Sequence, residues 1–156
     1  MLFRSSSVVG IARDTLEFAL NASRDTHPRE FMGVLATTSS KKLDVRGRLD
    51  EDGDVITDVM VIPGSKSGEV MATIREDMIP TGLGGVGTVH SHPSGSTRPS
   101  DEDLRTFSKK GRRHIIVGYP YDERSWTCYD REGDVVDLPV LDVEFEDEPL
   151  FDGEDW

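Results

Sequence analysis

The chain has 156 residues, 30 acidic and 18 basic, for a formal net charge of −12; that length fits one domain whose core buries about 70% of the surface exposed by the unfolded chain. Cys128 is the only cysteine, which excludes an internal disulfide and a Cys-rich zinc site and fits a reducing, cytoplasmic setting. No basic stripe stands out, so nucleic acid is not expected as a partner.

The first twenty residues are interrupted by Arg4, Arg13, Asp14 and Glu17. That leaves no apolar run long enough for a signal peptide or a membrane span, and no membrane partner is expected. Residues 8 to 24 place Val8, Ile11, Ala12, Thr15, Ala19 and Ala22 at helical spacing, which predicts a helix ended by His27-Pro28. FMGVLAT (31–37) reads as a strand. LDVRGRL (43–49) and VITDVMVI (55–62) read as two more, joined into a hairpin by the turn EDGD at 51–54. EVMATIRED (69–77) leans towards a strand before Pro80.

The glycines Gly82-x-Gly84-x-x-Gly87 match a dinucleotide fingerprint on paper. They lead into a strand instead of opening a helix, so a glycine turn is the better reading. GVGTVHSH (85–92) then reads as a strand, and SDEDLRTFSKKG (100–111) as a helix with a Ser start and a Gly stop. HIIVGY, SWTCYDR and DVVDLPVL follow as three strands. This order predicts an α/β (α+β) domain, a mixed β-sheet with packed helices.

Charge is uneven along the chain. Residues 142 to 156 hold eight acidic side chains and no Lys or Arg, which leaves 22 acidic against 18 basic residues in 1 to 141. The expected division is a domain over 1–141 and a solvated acidic tail over 142–156. The 18 Asp and five Lys resemble the usage of proteins from salt-accumulating, halophilic microbes.

The stretch GTVHSHPSGSTRPSDEDL (87–104) carries the chemistry. Residues two apart on a strand face the same way, so His90 and His92 can present both imidazoles to one point. Zinc takes His nitrogens and carboxylate oxygens at about 2.0–2.2 Å, and Asp103, at the start of the next helix, is the candidate third ligand. Ser100-x-x-Asp103 is also a capping box; the two readings are compatible. Such an ion lowers the pKa of a water to about 7, and a carboxylate must then accept its proton. Glu30 in HPREFMGVLA is a candidate, although spacing alone does not choose it over Glu69 or Glu76. His114 reads as a structural histidine, and Cys128 as a small packed residue.

The run His90-Ser91-His92, seven residues, Ser100, two residues, Asp103, with Glu30 upstream in PREFMGVLA, resembles the JAMM (MPN-plus) metalloprotease pattern. GRRHIIVGYPYDERSWTCYD is similar to small archaeal, desampylase-type members, and the likeness covers roughly residues 8 to 140. The resemblance implies a JAMM/MPN, cytidine deaminase-like architecture. It implies one Zn2+ per chain, held by His90, His92 and Asp103, with Glu30 as general base and Ser100 as donor to the oxyanion. It further implies an isopeptidase that removes ubiquitin-like modifiers from lysines. The chain has no room for the large insertions of linkage-selective eukaryotic relatives, so a small modifier with a Gly-Gly tail suits better.

Two alternatives stay open at this point: a catalytically silent scaffold of the same fold, and a zinc hydrolase acting on small amide conjugates. A zinc deaminase fits poorly, since its His-x-Glu and Pro-Cys-x-x-Cys ligands are missing.

Overall fold

The computed structural model describes residues 7–46, 49–62 and 85–145. Eight strands form one mixed sheet: β1 (Val8–Ala12), β2 (Met32–Ser39), β3 (Leu43–Arg46), β4 (Asp54–Val61), β5 (Gly85–His92), β6 (Arg113–Gly118), β7 (Trp126–Tyr129) and β8 (Val140–Phe145). Their order is β3-β8-β1-β4-β2-β5-β6-β7. Among the described residues, two α-helices pack on it, α1 (Arg13–Thr26) and α2 (Asp101–Lys109). Neither is long and apolar enough to cross a membrane. The sequence-based expectations over 69–77 and at Gly82 and Gly84 lie outside the described residues.

The alternation of side chains along β5 and β6 assigns the two faces of the sheet. Val89, Ile115 and Val117 join Leu16, Ala19 and Leu20 of α1 in the main core. Ile116 faces the other way and clusters with Phe107 of α2 and Tyr129. The helices therefore cover opposite faces. In β2, Met32 to Ala36 are all buried, as a central strand covered on both sides requires.

Several expectations are corrected. The helix begins at Arg13, because Val8–Ala12 is a strand seated between β4 and β8. Its β-branched residues fit a pleated interior better than a helix. The hairpin between 43–49 and 55–62 does not form. Val55 and Ile56 of β4 are fully buried and need neighbours on both edges, which β1 and β2 supply. β3 alternates buried Leu43 with exposed Asp44 and Arg46 and pairs with β8 at the rim. The turn around 51–54 folds back instead on Ser40, which bonds Gly53 through its amide and its hydroxyl.

Residues 134–141 are largely irregular: Val135 makes an isolated bridge to Tyr129, and the strand starts only at Val140. Pro139 has no amide to donate and contributes only its carbonyl, to the amide of Ile11. β8 crosses position 141 and continues to Phe145. Asp142 and Glu144 form its outward row and pair with Arg13 and Arg46. Residues 146–156 of the expected tail lie outside the described residues.

Gly87 is required where β5 and β6 run parallel. A Cβ there would sit 1.5 Å from the carbonyl oxygen of Arg113. The strands meet closely because α2 must return to the sheet within a few residues, through Gly111 at φ 130°. His114 fastens that return. Its Nε2 lies 3.1 Å from the Phe107 carbonyl and 3.0 Å from that of Gly111, so this nitrogen carries the proton. Nδ1 accepts from the Thr88 hydroxyl at 2.8 Å. The ring stacks on Phe107 with centroids 4.4 Å apart.

Burial pushes the His114 imidazole down to about 4 from an ordinary value near 6.5. Above both values the ring is neutral whether folded or not, and stability does not depend on it. As pH falls through 6.5 the unfolded chain takes the proton first, so stability is lost between 6.5 and 4. Urea titrations should show His114→Gln losing about 3 kcal/mol less than the parent over that interval.

Candidate metal centre

β5 ends with His90 and His92 on the face that carries α2. The chain turns through Pro93–Pro99 and enters α2 at Ser100. That loop is fixed to the sheet: the Tyr129 hydroxyl donates to the Thr97 carbonyl at 2.6 Å, and the hydroxyls of Thr97 and Thr127 meet at 2.8 Å. Ser100 caps the helix reciprocally. Its hydroxyl accepts from the amide of Asp103 at 3.0 Å, and its own amide donates to Asp103 Oδ2 at 2.9 Å. The box holds the Asp103 carboxylate towards the end of β5.

There it meets both histidines. His90 Nε2 lies 3.2 Å from Asp103 Oδ1, His92 Nε2 lies 3.3 Å from Oδ2, and the two imidazole nitrogens are 3.2 Å apart. His92 Nδ1 donates to the Ser96 carbonyl at 3.0 Å, which in the neutral ring leaves the Nε2 lone pair facing the point shared with His90 and Asp103. The electrostatics agree with tight convergence. Desolvation opposes the Asp103 carboxylate, but hydrogen bonds from His90 and His92 outweigh it and hold its pKa well below the carboxylate range. The hydrogen bond to Asp103 raises the His92 pKa against the effect of burial, with smaller contributions from the Ser96 carbonyl and the charge of Glu30.

Among the described residues, His90, His92 and Asp103 offer three ligand atoms within 4.8 Å of one another and could hold a metal ion. The donor set is nitrogen, nitrogen and carboxylate oxygen, which zinc accepts. A tetrahedron with bonds of about 2.0 Å has edges of about 3.3 Å, close to the separations found here. The residues fit a single Zn2+.

Glu30 precedes β2, which lies antiparallel to β5. Met32 pairs with His90 across β2 and β5, and the Ser91 amide bonds the Phe31 carbonyl at 2.9 Å. Glu30, two residues before β2, is half-buried, and its charge is felt at His92. Glu69 and Glu76 lie outside the described residues.

The structure brings together His90, His92 and Asp103, and Ser100 caps the helix that carries Asp103. Two features escaped the sequence-based expectations. Ser91, between the histidines, is completely buried and bonds the Phe31 amide. His27, three residues before Glu30, bonds the Tyr121 hydroxyl at 2.7 Å and lies against Tyr119. Strand alternation could have found the first as a buried serine; the second depends on a long-range approach with no local signal. Cys128 is buried among apolar side chains, which pushes its thiol up to about 11. It packs the core and offers no nucleophile.

A model of prokaryotic homologs of the JAB domain matches residues 13–129. A probable metalloprotease of Haloferax volcanii is 50% identical over 152 residues, covering 97% of this chain and 91% of the relative. The chain belongs to the JAMM metalloprotease family. Solved structures agree on the JAMM/MPN fold. A JAB1/MPN domain protein from Archaeoglobus fulgidus is 39% identical, covering 85% of this chain and 98% of that one, with a TM-score of 0.62. A second structure, described as a metalloprotease-like JAMM zinc site in the proteasome and signalosome, is 36% identical over 86% of this chain and 98% of that one, with a TM-score of 0.59.

Purified without chelator, the JAMM domain should carry about one zinc per chain, and added zinc should raise its melting temperature. Elemental analysis should find zinc largely lost in Asp103→Ala. Ser100→Ala should keep the ion and, in urea unfolding, lose about 1 kcal/mol as its cap is removed.

Proposed function

We propose that this chain is a zinc-dependent isopeptidase that hydrolyses the bond between the C-terminal glycine of a small ubiquitin-like modifier and a target lysine. The observation that carries this is the meeting of three metal-competent donors, His90, His92 and Asp103, at the end of β5. In this reading His90, His92 and Asp103 hold the ion, Glu30 is the general base, and Ser100 is the oxyanion donor. Bound there, zinc would polarise the scissile carbonyl and acidify a water.

The chain's own groups do the rest. Glu30, just before β2, accepts the proton from the attacking water and hands it to the departing lysine amine. Ser100 spends a lone pair on the Asp103 amide, and its hydroxyl proton remains to be donated where negative charge grows on the carbonyl oxygen. The Asp103 box and the Ser96 carbonyl keep the ligands oriented while this happens. With Cys128 sealed in the core, attack by water needs no covalent intermediate.

The choice of modifier is supported by the likeness of the motif region to small archaeal members. Glycines at the substrate terminus suit close passage beside a sheet end, because they bring no side chain into it. The setting we infer is cytoplasmic, with soluble conjugates as substrates and residues 146–156 as an acidic tail. The Asp-rich, Lys-poor composition supports activity at high salt.

The test is incubation with lysine-linked modifier conjugates, with and without chelator, across salt concentrations. Free modifier and intact lysine should appear, vanish with chelator and return with zinc. Glu30→Ala should keep zinc and fold while kcat drops by about 100-fold or more. Cleavage by that variant at the parental rate would take Glu30 out of the mechanism. Release of amino acids from small amides, with conjugates left intact, would replace the modifier by a small substrate.

A further inference from the structure

Ser91 sits between the two histidines but on the opposite side of β5, completely buried. In a regular antiparallel ladder a hydrogen-bonded pair exchanges two N–H···O=C bonds. The pair formed by Phe31 and Ser91 keeps only one of them in that form, from the Ser91 amide to the Phe31 carbonyl at 2.9 Å. The other is replaced. The Phe31 amide donates to the Ser91 hydroxyl oxygen at 2.8 Å, not to the Ser91 carbonyl.

That amide belongs to the peptide unit that joins Glu30 to Phe31. The unit is planar and includes the Cα of Glu30. A hydroxyl on β5 therefore grips the plane from which the Glu30 side chain departs. Phe31 is itself buried, its ring in the main core, so its amide cannot turn to water for a substitute partner. One short segment of β5 thus sends two imidazoles to one face and, from the residue between them, an anchor for the carboxylate that works beside them.

We infer that Ser91 is a positioning residue: through the Phe31 amide it sets the place of Glu30 relative to His90 and His92, an inference that rests on Glu30 acting as the proton acceptor. Ser91 touches neither the ion nor the substrate, so its removal should spare both and slow the chemical step. A threonine keeps the hydroxyl, and a valine of the same shape does not.

The experiment compares the zinc-loaded full chain with Ser91→Ala, Ser91→Thr and Ser91→Val. Four quantities are read: zinc affinity by competition with a chromophoric chelator, exchange of the Phe31 amide by NMR, and both kcat and KM on a lysine-linked conjugate. In the Ala and Val variants the Phe31 amide should exchange about tenfold faster or more. In the same variants kcat should fall about tenfold or more, with KM and zinc affinity within about threefold of the parent. Thr should restore both exchange protection and kcat. The inference is overturned if Ser91→Ala keeps the parental kcat, if zinc affinity falls in step with kcat, or if Val performs as well as Thr. A parent chain that cleaves no conjugate overturns the proposed function. The anchor is overturned separately, by a Phe31 amide that exchanges no faster without the hydroxyl.

Discussion

The Asp103 carboxylate is held from two sides at once. Its Oδ2 accepts the Ser100 amide and so closes the first turn of α2, while its two oxygens meet His90 and His92 at the end of β5. A carboxylate in a first helical turn is favoured by the helix dipole and by the cap whether or not a metal is near. Here the same geometry delivers it to two imidazoles. Helix start and candidate ligand are one object, so neither can shift without the other.

The rest of the fold keeps that object in place. β5, α2 and β6 form a parallel crossover, and the site lies at the carboxyl end of β5, where α/β units commonly hold their ligands. His114 and Phe107 fasten the far end of the helix to the sheet. Tyr129 and Thr127 fasten the loop that enters it. The division of the two faces matters equally. The α1 side is a continuous apolar core that determines how β2 lies against β5. The α2 side can then carry polar groups at the strand ends without loss of order.

What the sequence revealed followed the range of the interactions involved. His90, His92, Ser100 and Asp103 lie within fourteen residues, so strand alternation and cap spacing were enough to group them. Glu30 could only be ranked with other glutamates, because its place depends on the register of β2 against β5, a relation between segments sixty residues apart. Strand existence was mostly legible, but pairing was not. The local turn at 51–54 implied a hairpin, while burial sent β4 to the middle of the sheet and β3 to its rim. Acidic composition likewise hid β8, whose outward row holds Asp142 and Glu144 while Leu141 is buried and Val143 half-buried on the other side. Charge counting does not see alternation.

The burial of Cys128 has a consequence for how this protein meets chemical stress. A peptidase built on a sulfur nucleophile is silenced by alkylating agents and by peroxide, because its reactive atom must stay accessible. Here the one thiol is inside the core, and the groups that could hold the ion are nitrogen and oxygen donors. The fold therefore has no reactive thiol at its working surface for electrophiles or oxidants to poison.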